Sequence, residues 1–378
     1  MTIASVGLFR SPPELASFSM DRYADGLLAS LRRSASADGL AFAEARPPEA
    51  GRLPRNPRLR RYWGAYGRSV VHARSTRFAL NHVLDHAYGH LAYVLDRERT
   101  IVTCHDLFPL LRWRGAVRGL GRRWTPPLTA QASLSGLRRA ATIVTPSEAT
   151  KDAVVERLQV DPARIHVIPY GVDPAFRPAE AWERSDRDRR CPLGDPLAAH
   201  VLVVSTGAAY KNHRAAVEVL ARIGGRADRE VQVVRVGPPL PVAERERAYR
   251  YGVSGRIIEL GPLPPAALPS LYRRCDALLH ASLYEGFGWP ALEAMASGLP
   301  AVVSTWRSLV EVIGNSALAA EADDYDGLAD ALVRVLTDDE LARRLRGSGL
   351  ERARVFTWER AAERTADLYR TVLGEVER

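Results

Sequence analysis

Short apolar segments alternate with longer amphipathic segments along most of the chain. Apolar runs of about four to eight residues predict buried strands, and apolar residues at three- and four-residue spacing predict helices that pack on a sheet. This alternation is typical of an α/β protein with a parallel sheet covered by helices. In the first half it predicts strands at residues 3–8, 100–104, 142–145 and 165–168 and helices at residues 21–31 and 150–158.

Residues 174–196 interrupt the alternation. They are rich in Pro, Arg, Asp and Glu and lack apolar periodicity, which predicts a linker. In the second half the pattern predicts strands at residues 201–205, 231–236, 257–260, 277–280 and 301–304 and helices at 214–223, 266–273, 289–296 and 358–373. We therefore predict an N-terminal domain over residues 1–176, a linker over 177–196, a C-terminal domain over 197–357, and a helix within 358–378 that packs back toward the N-terminal domain.

The composition agrees with a two-domain globular protein. The chain has 378 residues, of which 46% are hydrophobic and 26% are charged, and no apolar run approaches the roughly 18 residues that cross a bilayer. The N-terminal residues lack the pattern of an export signal. Three scattered cysteines, Cys104, Cys191 and Cys275, argue against a disulfide framework or a zinc cluster. We therefore expect a cytoplasmic protein.

The net charge of +9 is carried almost wholly by arginine. Such a charge attracts phosphates, anionic lipid head groups or nucleic acid, although a solvated arginine-rich surface gives the same composition. No nucleic-acid-binding module is recognisable, so we expect no nucleic acid partner. Arginines beside tryptophans favour peripheral contact with an anionic membrane face. The two basic stretches contain Arg52, Arg55, Arg58, Arg60 and Arg61 near Trp63, and Arg112, Arg114, Arg118, Arg122 and Arg123 near Trp113 and Trp124.

The segment from Glu285 to Gly298, EGFGWPALEAMASG, carries the most specific chemistry. Its glycines let the backbone approach a ligand closely, and amides at the start of the predicted helix can hold a phosphate. Glu285 precedes this helix, where its carboxylate can accept hydrogen bonds from sugar hydroxyls. Glu293 lies within the helix and can reach a ribose diol. A pair of glutamates at this spacing, taken alone, is more often a pair of surface charges around a tight turn.

The complete string resembles the signature of glycosyltransferase family 4. The resemblance covers the chain from about residue 80 onward, and the first 80 residues match more weakly. It implies the GT-B fold, in which two Rossmann-like doubly wound domains face each other across a cleft, and sugar transfer with retention of configuration. Further matching segments are Thr145-Pro146-Ser147-Glu148, Val167 to Asp173, Leu260-Gly261, Ser282-Leu283-Tyr284, Ser308 to Glu311 and Phe356-Thr357-Trp358.

The resemblance also implies a donor site. Lys211 matches a lysine that binds the donor diphosphate, where its charge would offset the leaving nucleoside diphosphate without a metal. Family members often have an arginine shortly before this lysine, but Ser205 and Tyr210 stand there. Arg235 and the helix start are candidates to replace that arginine. The implied donor-side residues are Thr206, Gly207, Lys211, Arg235, Gly286, Phe287, Gly288, Leu292 and Glu293, and Glu285 is an implied catalytic residue.

His105, after the predicted strand at residues 100–104, is the other implied catalytic residue. It resembles a family histidine that faces the donor sugar, and an imidazole can donate to a sugar hydroxyl near neutral pH. Asp106 follows it on the expected acceptor side. Ahead of both, Phe9 to Pro13 replaces the family's Gly-Gly turn, and its two prolines remove amide donors. We expect acceptor binding to differ here from the family pattern.

Several histidines precede His105 at helical spacing. His82 and His86 are four residues apart, as are His86 and His90, with Asp85 between them. On a helix this spacing suggests metal ligands, but no third ligand with a matching spacing appears. We expect His82 and His86 to line the acceptor side or a plain helix surface, with no metal and no cofactor besides the nucleotide sugar as co-substrate.

The predicted function is metal-independent, retaining transfer of a hexose from a nucleotide-diphosphate sugar to a glycan, lipid-linked or small-molecule acceptor. GDP-mannose or another such hexose donor is favoured because the Glu-Gly-Phe-Gly-x-Pro subgroup that the chain resembles includes mannosyl- and rhamnosyltransferases. A nucleotide-sugar epimerase on the same fold and a catalytically silent scaffold are alternatives. A phosphorylase would need a far longer chain and a lysine-bound pyridoxal phosphate.

Overall fold

A computed structural model describes residues 3–13, 18–34, 39–48, 66–113, 128–180, 193 and 195–376. Within these ranges the chain forms two compact units. The first unit contains the described residues up to Gly171 and again those from Phe356 onward, and the second contains those within 172–355. The chain therefore leaves the first unit, builds the second, and then returns to the first.

The first unit is built on a six-stranded sheet with the order β2-β1-β3-β4-β5-β6, and all neighbours are parallel. Parallel strands covered on both faces read as apolar runs. The two Thr-Ile-Val-Thr strands, β4 and β5, are accordingly buried throughout. The strands are β1 (Ala4–Phe9), β2 (Leu40–Ala45), β3 (Leu80–Val83), β4 (Thr100–Thr103), β5 (Thr142–Thr145) and β6 (Ile165–Val167).

The helix Trp358–Val376 completes the first unit by packing against the helix Phe18–Ser34. The two helices approach closely because Gly26 has no side chain, and a Cβ there would lie 2.3 Å from the Trp358 ring. The other helices of this unit are Arg68–Ser75, Phe108–Trp113, Leu128–Arg139 and Glu148–Leu158.

The second unit contains another six-stranded parallel sheet, with the order β12-β11-β10-β7-β8-β9. Counted from β7 as the first strand, this is the strand order of the dinucleotide-binding α/β fold. The strands are β7 (Ala199–Val204), β8 (Val231–Val236), β9 (Ile257–Gly261), β10 (Ala277–His280), β11 (Ala301–Ser304) and β12 (Leu318–Ala320).

Helices cover this sheet. The helix His213–Ile223 buries an apolar stripe against it and also buries Glu218, which is 1% exposed and paired with Arg214, Arg222 and Arg247. Charge pairing makes the burial of this carboxylate tolerable. The remaining helices are Val242–Arg250, Leu268–Arg274, Trp289–Ala296, Arg307–Ile313, Tyr325–Thr337 and Asp339–Ala353.

Two doubly wound α/β units confirm the predicted fold class. The spacing of His82, His86 and His90 does not come from one helix. His82 lies on strand β3, and His86–Tyr93 is a 3-10 segment. Asp85 separates the two because its carboxylate accepts a hydrogen bond from the Ala87 amide at 2.8 Å and caps the segment.

Among the residues that the structure describes, none of the helices combines the length and apolarity required to cross a membrane. The predicted arginine-tryptophan stretches lie almost entirely outside the described residues. The stretch from Arg52 to Trp63 and the stretch from Arg114 to Trp124 lie outside the described residues, as do Cys191 and residues 181–192 of the predicted linker.

Candidate active site

The second sheet has a switch point between its central strands. β7 and β10 pair side by side, while the strands that follow each of them lie on opposite sides. Such a point leaves a crevice at the carboxyl ends of the strands, where open α/β sheets bind ligands. The two loops that border it are joined, since the Leu283 amide donates to the Tyr210 carbonyl at 2.8 Å.

This crevice brings together Lys211, Glu285 and His280. Lys211 Nζ lies 2.6 Å from Glu285 Oε1, and His280 Nε2 lies 3.1 Å from the same oxygen. The side chains of Lys211 and Glu285 are 12% and 10% exposed. Burial alone raises the pKa of Glu285, but the Lys211 charge and the His280 hydrogen bond hold that pKa well below its ordinary value. Glu285 is therefore ionised at neutral pH.

Asn212 fixes the turn that presents Lys211. Lys211 ends a 3-10 turn, Ala209–Lys211, and Asn212 follows it with a left-handed φ of 52°. Its side-chain amide donates to the carbonyls of Ala281 and Ala322 at 2.9 and 2.7 Å. Asparagine tolerates this backbone region better than most residues. The two hydrogen bonds fix the turn to the loops after β10 and β12, and the turn thereby orients Lys211.

The backbone of Glu285 is also anchored. Its carbonyl accepts hydrogen bonds from Trp306 Nε1 and Ser308 Oγ, both at 2.8 Å. Sequence reasoning did not assign a role to these residues or to His280. The one available signal was a histidine at the end of an otherwise apolar strand.

Gly288 starts the helix Trp289–Ala296 next to this carboxylate. Its φ is 112°, and a Cβ there would lie 2.3 Å from Leu309 Cδ2. Only glycine fits both conditions. The predicted donor-side residues Phe287 and Leu292 are 4% and 0% exposed, so their side chains pack this turn and helix against the unit.

Glu293, one turn into the same helix, is 2% exposed. The hydroxyl of Tyr272 donates to its Oε2 at 2.5 Å. The structure thus places both glutamates of the motif in this region of the second unit and orients each through a neighbouring side chain.

Thr206 and Gly207 lie on the exposed loop between β7 and Lys211. Thr206 Oγ1 accepts a hydrogen bond from the Ala208 amide at 3.4 Å. The loop after β8 approaches the base of this loop, because a Cβ on Gly237 would lie 1.9 Å from the Ser205 carbonyl oxygen.

Arg235 does not lie in the crevice as an accessible second cation. It is 1% exposed, pairs with Glu259 at 3.1 Å, and donates to the Pro238 carbonyl. Its other terminal nitrogen donates to His213 Nδ1 at 3.1 Å. Because the guanidinium binds protein groups, it shapes the loop after β8 in this structure.

In the first unit, His105 is closed in. The ring is 4% exposed, its Nε2 donates to the Leu84 carbonyl at 2.7 Å, and its Nδ1 accepts from the Tyr170 hydroxyl. Burial, with a smaller effect from His86, lowers the pKa of His105 to about 3. The imidazole is therefore neutral and uses both nitrogens within its own unit.

The two other predicted acceptor-side positions next to His105 are partly exposed. His86 Nδ1 accepts from the His105 amide at 3.3 Å and lies 3.7 Å from Asp85 Oδ1. Asp106 Oδ1 accepts from the Phe108 amide at 2.8 Å. Both side chains lie at the carboxyl ends of neighbouring strands, β3 and β4.

His82 is different because it is completely buried. Its Nδ1 lies 2.6 Å from the Tyr369 hydroxyl and its Nε2 lies 2.8 Å from Thr103 Oγ1. It therefore ties β3 to the helix Trp358–Val376 and does not face an acceptor in this structure. Within the described ranges, no group of three His, Cys, Asp or Glu side chains is placed to hold a metal ion.

Arg10 fills the turn after β1. Its side chain is 6% exposed and lies 2.8 Å from Asp21, 2.6 Å from Asp25 and 3.4 Å from Glu44. Arg46 shares the Asp21 carboxylate at 2.8 Å. A charge network therefore stands where the sequence departs from a glycine turn.

Two family descriptions match the chain. Residues 28–176 match Glycosyltransferase Family 4, and residues 196–352 match Glycosyl transferases group 1. Together with the two parallel sheets and the crevice beside Glu285, these matches show that the chain belongs to glycosyltransferase family 4 and has the GT-B fold. The predicted family is confirmed.

Individual relatives agree with this assignment. The chain is 31% identical over 232 residues to D-inositol 3-phosphate glycosyltransferase of Corynebacterium glutamicum, covering 58% of this chain and 55% of that protein. It is 30% identical over 269 residues to MMP α-(1→4)-mannosyltransferase of Mycolicibacterium hassiacum, covering 70% and 61%. The match thus spans little more than half the length of these relatives.

Solved structures share the fold. Anabaena HepE, solved with UDP and glucose, superposes with a TM-score of 0.73 at 14% identity, covering 97% of this chain and 100% of that one.

Proposed function

We propose that this protein is a retaining, metal-independent glycosyltransferase that moves a hexose from a nucleotide-diphosphate sugar to an acceptor hydroxyl. The observation that carries the proposal is the Lys211–Glu285 pair, 2.6 Å apart at the switch point of the second sheet. The Gly286–Gly288 turn beside it opens the helix Trp289–Ala296.

Lys211 is the proposed cation for the donor diphosphate. Glu285 balances its charge in the unliganded site, and a diphosphate would compete for that charge. The adjacent helix start adds a positive dipole end and backbone amides. A fixed positive charge at the leaving phosphate stabilises the negative charge that develops there, and this contribution needs no metal.

The two glutamates serve opposite ends of the donor. Glu285 is ionised, so its oxygens accept hydrogen bonds from hydroxyls of the transferred sugar. Glu293, oriented by the Tyr272 hydroxyl, accepts from the ribose diol. The two carboxylates belong to one turn and one helix, which differs from the pair that flanks a glycosidic bond in hydrolases.

In the proposed reaction the bond between the anomeric carbon and the phosphate oxygen breaks. The acceptor oxygen bonds to the same face of that carbon, and its proton passes to the departing phosphate. The configuration is therefore retained without a covalent sugar-enzyme intermediate.

The favoured donor sugar is mannose or a related hexose. Support comes from the Glu-Gly-Phe-Gly-x-Pro string and from the relative named a mannosyltransferase; that HepE was solved with UDP makes uridine a base to test beside guanosine. The proposed acceptor is a glycan, a lipid-linked glycan or a small molecule. For a lipid-linked acceptor, binding to vesicles should rise with their anionic lipid content, and co-sedimentation without that dependence would remove the membrane contact.

The first test is a thermal-shift screen against GDP, UDP, dTDP and ADP. A ligand at about 100 times its Kd adds roughly 2.7 kcal/mol of stability, so one nucleotide should raise the melting temperature clearly. Lys211→Ala and Glu293→Ala should lose the shift. Lys151→Ala is the matched control, because Lys151 and Lys211 are the two lysines of the chain.

If no nucleotide shifts the wild-type protein, the proposed donor site is wrong. With the identified donor sugar, nucleotide release in EDTA should equal release without it, and loss of activity in EDTA would overturn the metal-independent reaction.

A further inference from the structure

His280 shares one carboxylate oxygen with Lys211. His280 Nε2 lies 3.1 Å and Lys211 Nζ lies 2.6 Å from Glu285 Oε1. They come from opposite borders of the crevice, since His280 is the last residue of β10 and Lys211 follows β7. Lys211 donates to this oxygen, while His280 Nε2 lies within reach of it and is buried without a hydrogen-bond partner of its own among the described residues. The proposed diphosphate would take Lys211 and leave the oxygen to His280.

The two donors differ in mobility. Lys211 has a long flexible stem that can move its ammonium group by a change of rotamer. The His280 side chain is 3% exposed and stands on a buried strand, so its ring has little room to turn. A ligand that competes for Glu285 contacts can withdraw Lys211 far more readily than His280.

Withdrawal of Lys211 would leave a carboxylate that is 10% exposed. A buried carboxylate that loses its partner is strongly disfavoured unless another donor satisfies it. The Glu285 backbone stays anchored through Trp306 and Ser308, so the residue cannot move away as a whole. Only the direction of its carboxylate depends on the remaining donor.

We propose that His280 is a positioning residue that holds the Glu285 carboxylate in place when the donor diphosphate takes Lys211. This inference rests on the proposed function. The diphosphate draws Lys211 away from Glu285, and His280 lowers the free-energy cost of that exchange. Glu285 then stays aimed at the transferred sugar.

The test is a double-mutant cycle on nucleotide binding, measured by calorimetry with the nucleoside diphosphates GDP and UDP. His280→Leu should weaken binding of the nucleotide about tenfold, because a charged hydrogen bond is lost at the moment Lys211 leaves. In a Glu285→Gln background the same change should cost less than about twofold, because a neutral amide does not need that donor.

Two amide variants separate positioning from packing. His280→Gln places an amide nitrogen near the Nε2 position and should bind within about threefold of wild type. His280→Asn is one carbon shorter and should behave like His280→Leu. The melting temperature of each variant without nucleotide identifies any variant that fails to fold. If His280→Leu fails to fold, the comparison of His280→Gln with His280→Asn decides between positioning and packing.

The possible outcomes are distinct. Equal losses on the wild-type and Glu285→Gln backgrounds, or no rescue by Gln, would assign His280 to packing and overturn the inference while leaving the proposed function intact. If wild-type protein binds neither nucleotide and also fails to bind dTDP and ADP, the proposed donor site falls, and the inference falls with it.

Discussion

The two units place polar side chains at equivalent edges of their sheets but treat them differently. In the second unit, the switch point between β7 and β10 holds a charged pair that keeps about a tenth of each side chain exposed. In the first unit, His105 at the end of β4 is neutral and bonded through both ring nitrogens. At the positions compared, the second unit presents a charged pair, whereas the first unit encloses a neutral imidazole.

The difference shows that position at a strand end does not by itself leave a side chain exposed to a ligand. A lysine-glutamate pair can exchange partners with a charged ligand, because the ammonium group can bind an anion and the carboxylate can accept from another donor. A buried imidazole between a hydroxyl and a carbonyl has already satisfied its donor and its acceptor. Substitutions should therefore affect binding in the second unit and stability in the first.

The largest effect is expected for Lys211→Met. Loss of the charge at the leaving phosphate should lower kcat/KM for the nucleotide sugar by about 10²- to 10³-fold. Initial rates of nucleotide release measure this, with Lys151→Met as the charge-matched control that stays near wild type. Activity above a tenth of wild type in Lys211→Met would show that the pair in the second unit is not the exchanging site.

His105→Leu should act on stability instead. It leaves the Tyr170 hydroxyl and the Leu84 carbonyl without their buried partner, which should cost about 2 to 4 kcal/mol. The midpoint of urea unfolding should fall at an unchanged m-value, and nucleotide affinity should stay within about twofold. A loss of affinity with full stability would mean that His105 acts on the ligand and would break the contrast between the units.

Acid should weaken the first unit through its buried histidines. Burial lowers the pKa of His82 and of His105 from 6.5 to about 3. Above pH 6.5 both are neutral in either state; between these values only the unfolded chain gains the protons. Stability therefore falls as pH falls through this window, by up to about 1.4 kcal/mol per pH unit for each histidine.

Urea unfolding at pH 7, 6 and 5 measures this dependence. A His82→Gln variant should show a shallower loss between pH 6 and 5 than wild type. Equal slopes would show that His82 does not contribute to the acid sensitivity.

The smallest expected effect is that of Tyr272→Phe. Removing the hydroxyl that orients Glu293 should weaken nucleotide binding about fivefold, near 1 kcal/mol. Tyr249→Phe is a matched control, since Tyr249 is 79% exposed. Unchanged affinity in Tyr272→Phe would mean that Glu293 does not need this contact to bind ligand.

The sequence predicted the strands that read as apolar runs, such as Val231–Val236 and Ala277–His280, at their observed bounds. In the first unit it missed β2 and β3, because Leu-Ala-Phe-Ala-Glu-Ala and Leu-Asn-His-Val mix small, polar and apolar residues without strand periodicity. In the second unit it missed the three-residue strand β12. β3 becomes buried only through the sheet around it, whereas β2 is an edge strand that stays partly exposed. Their polar residues, including His82, are satisfied by partners distant in sequence.

The candidate site was predictable to the extent that local sequence defines it. Gly288 and both glutamates lie in one string, and Lys211 follows a strand. The contacts that orient them come from other elements, which only the folded chain brings next to the site. The residues that make these contacts are His280, Trp306 and Tyr272. For Arg235 the sequence position suggests a ligand contact, and only the structure shows its carboxylate partner, Glu259.

The return of the chain to the first unit has a consequence for biosynthesis. His82 and Tyr369 are 287 positions apart, and the ribosome makes the whole second unit between them. The second unit can fold as a continuous block while it emerges, whereas the first must wait, with β3 lacking its helix, until the Trp358–Val376 segment is synthesised. During that interval the imidazole of His82 lacks its tyrosine partner, so the first unit can complete its packing only after the second unit has been synthesised.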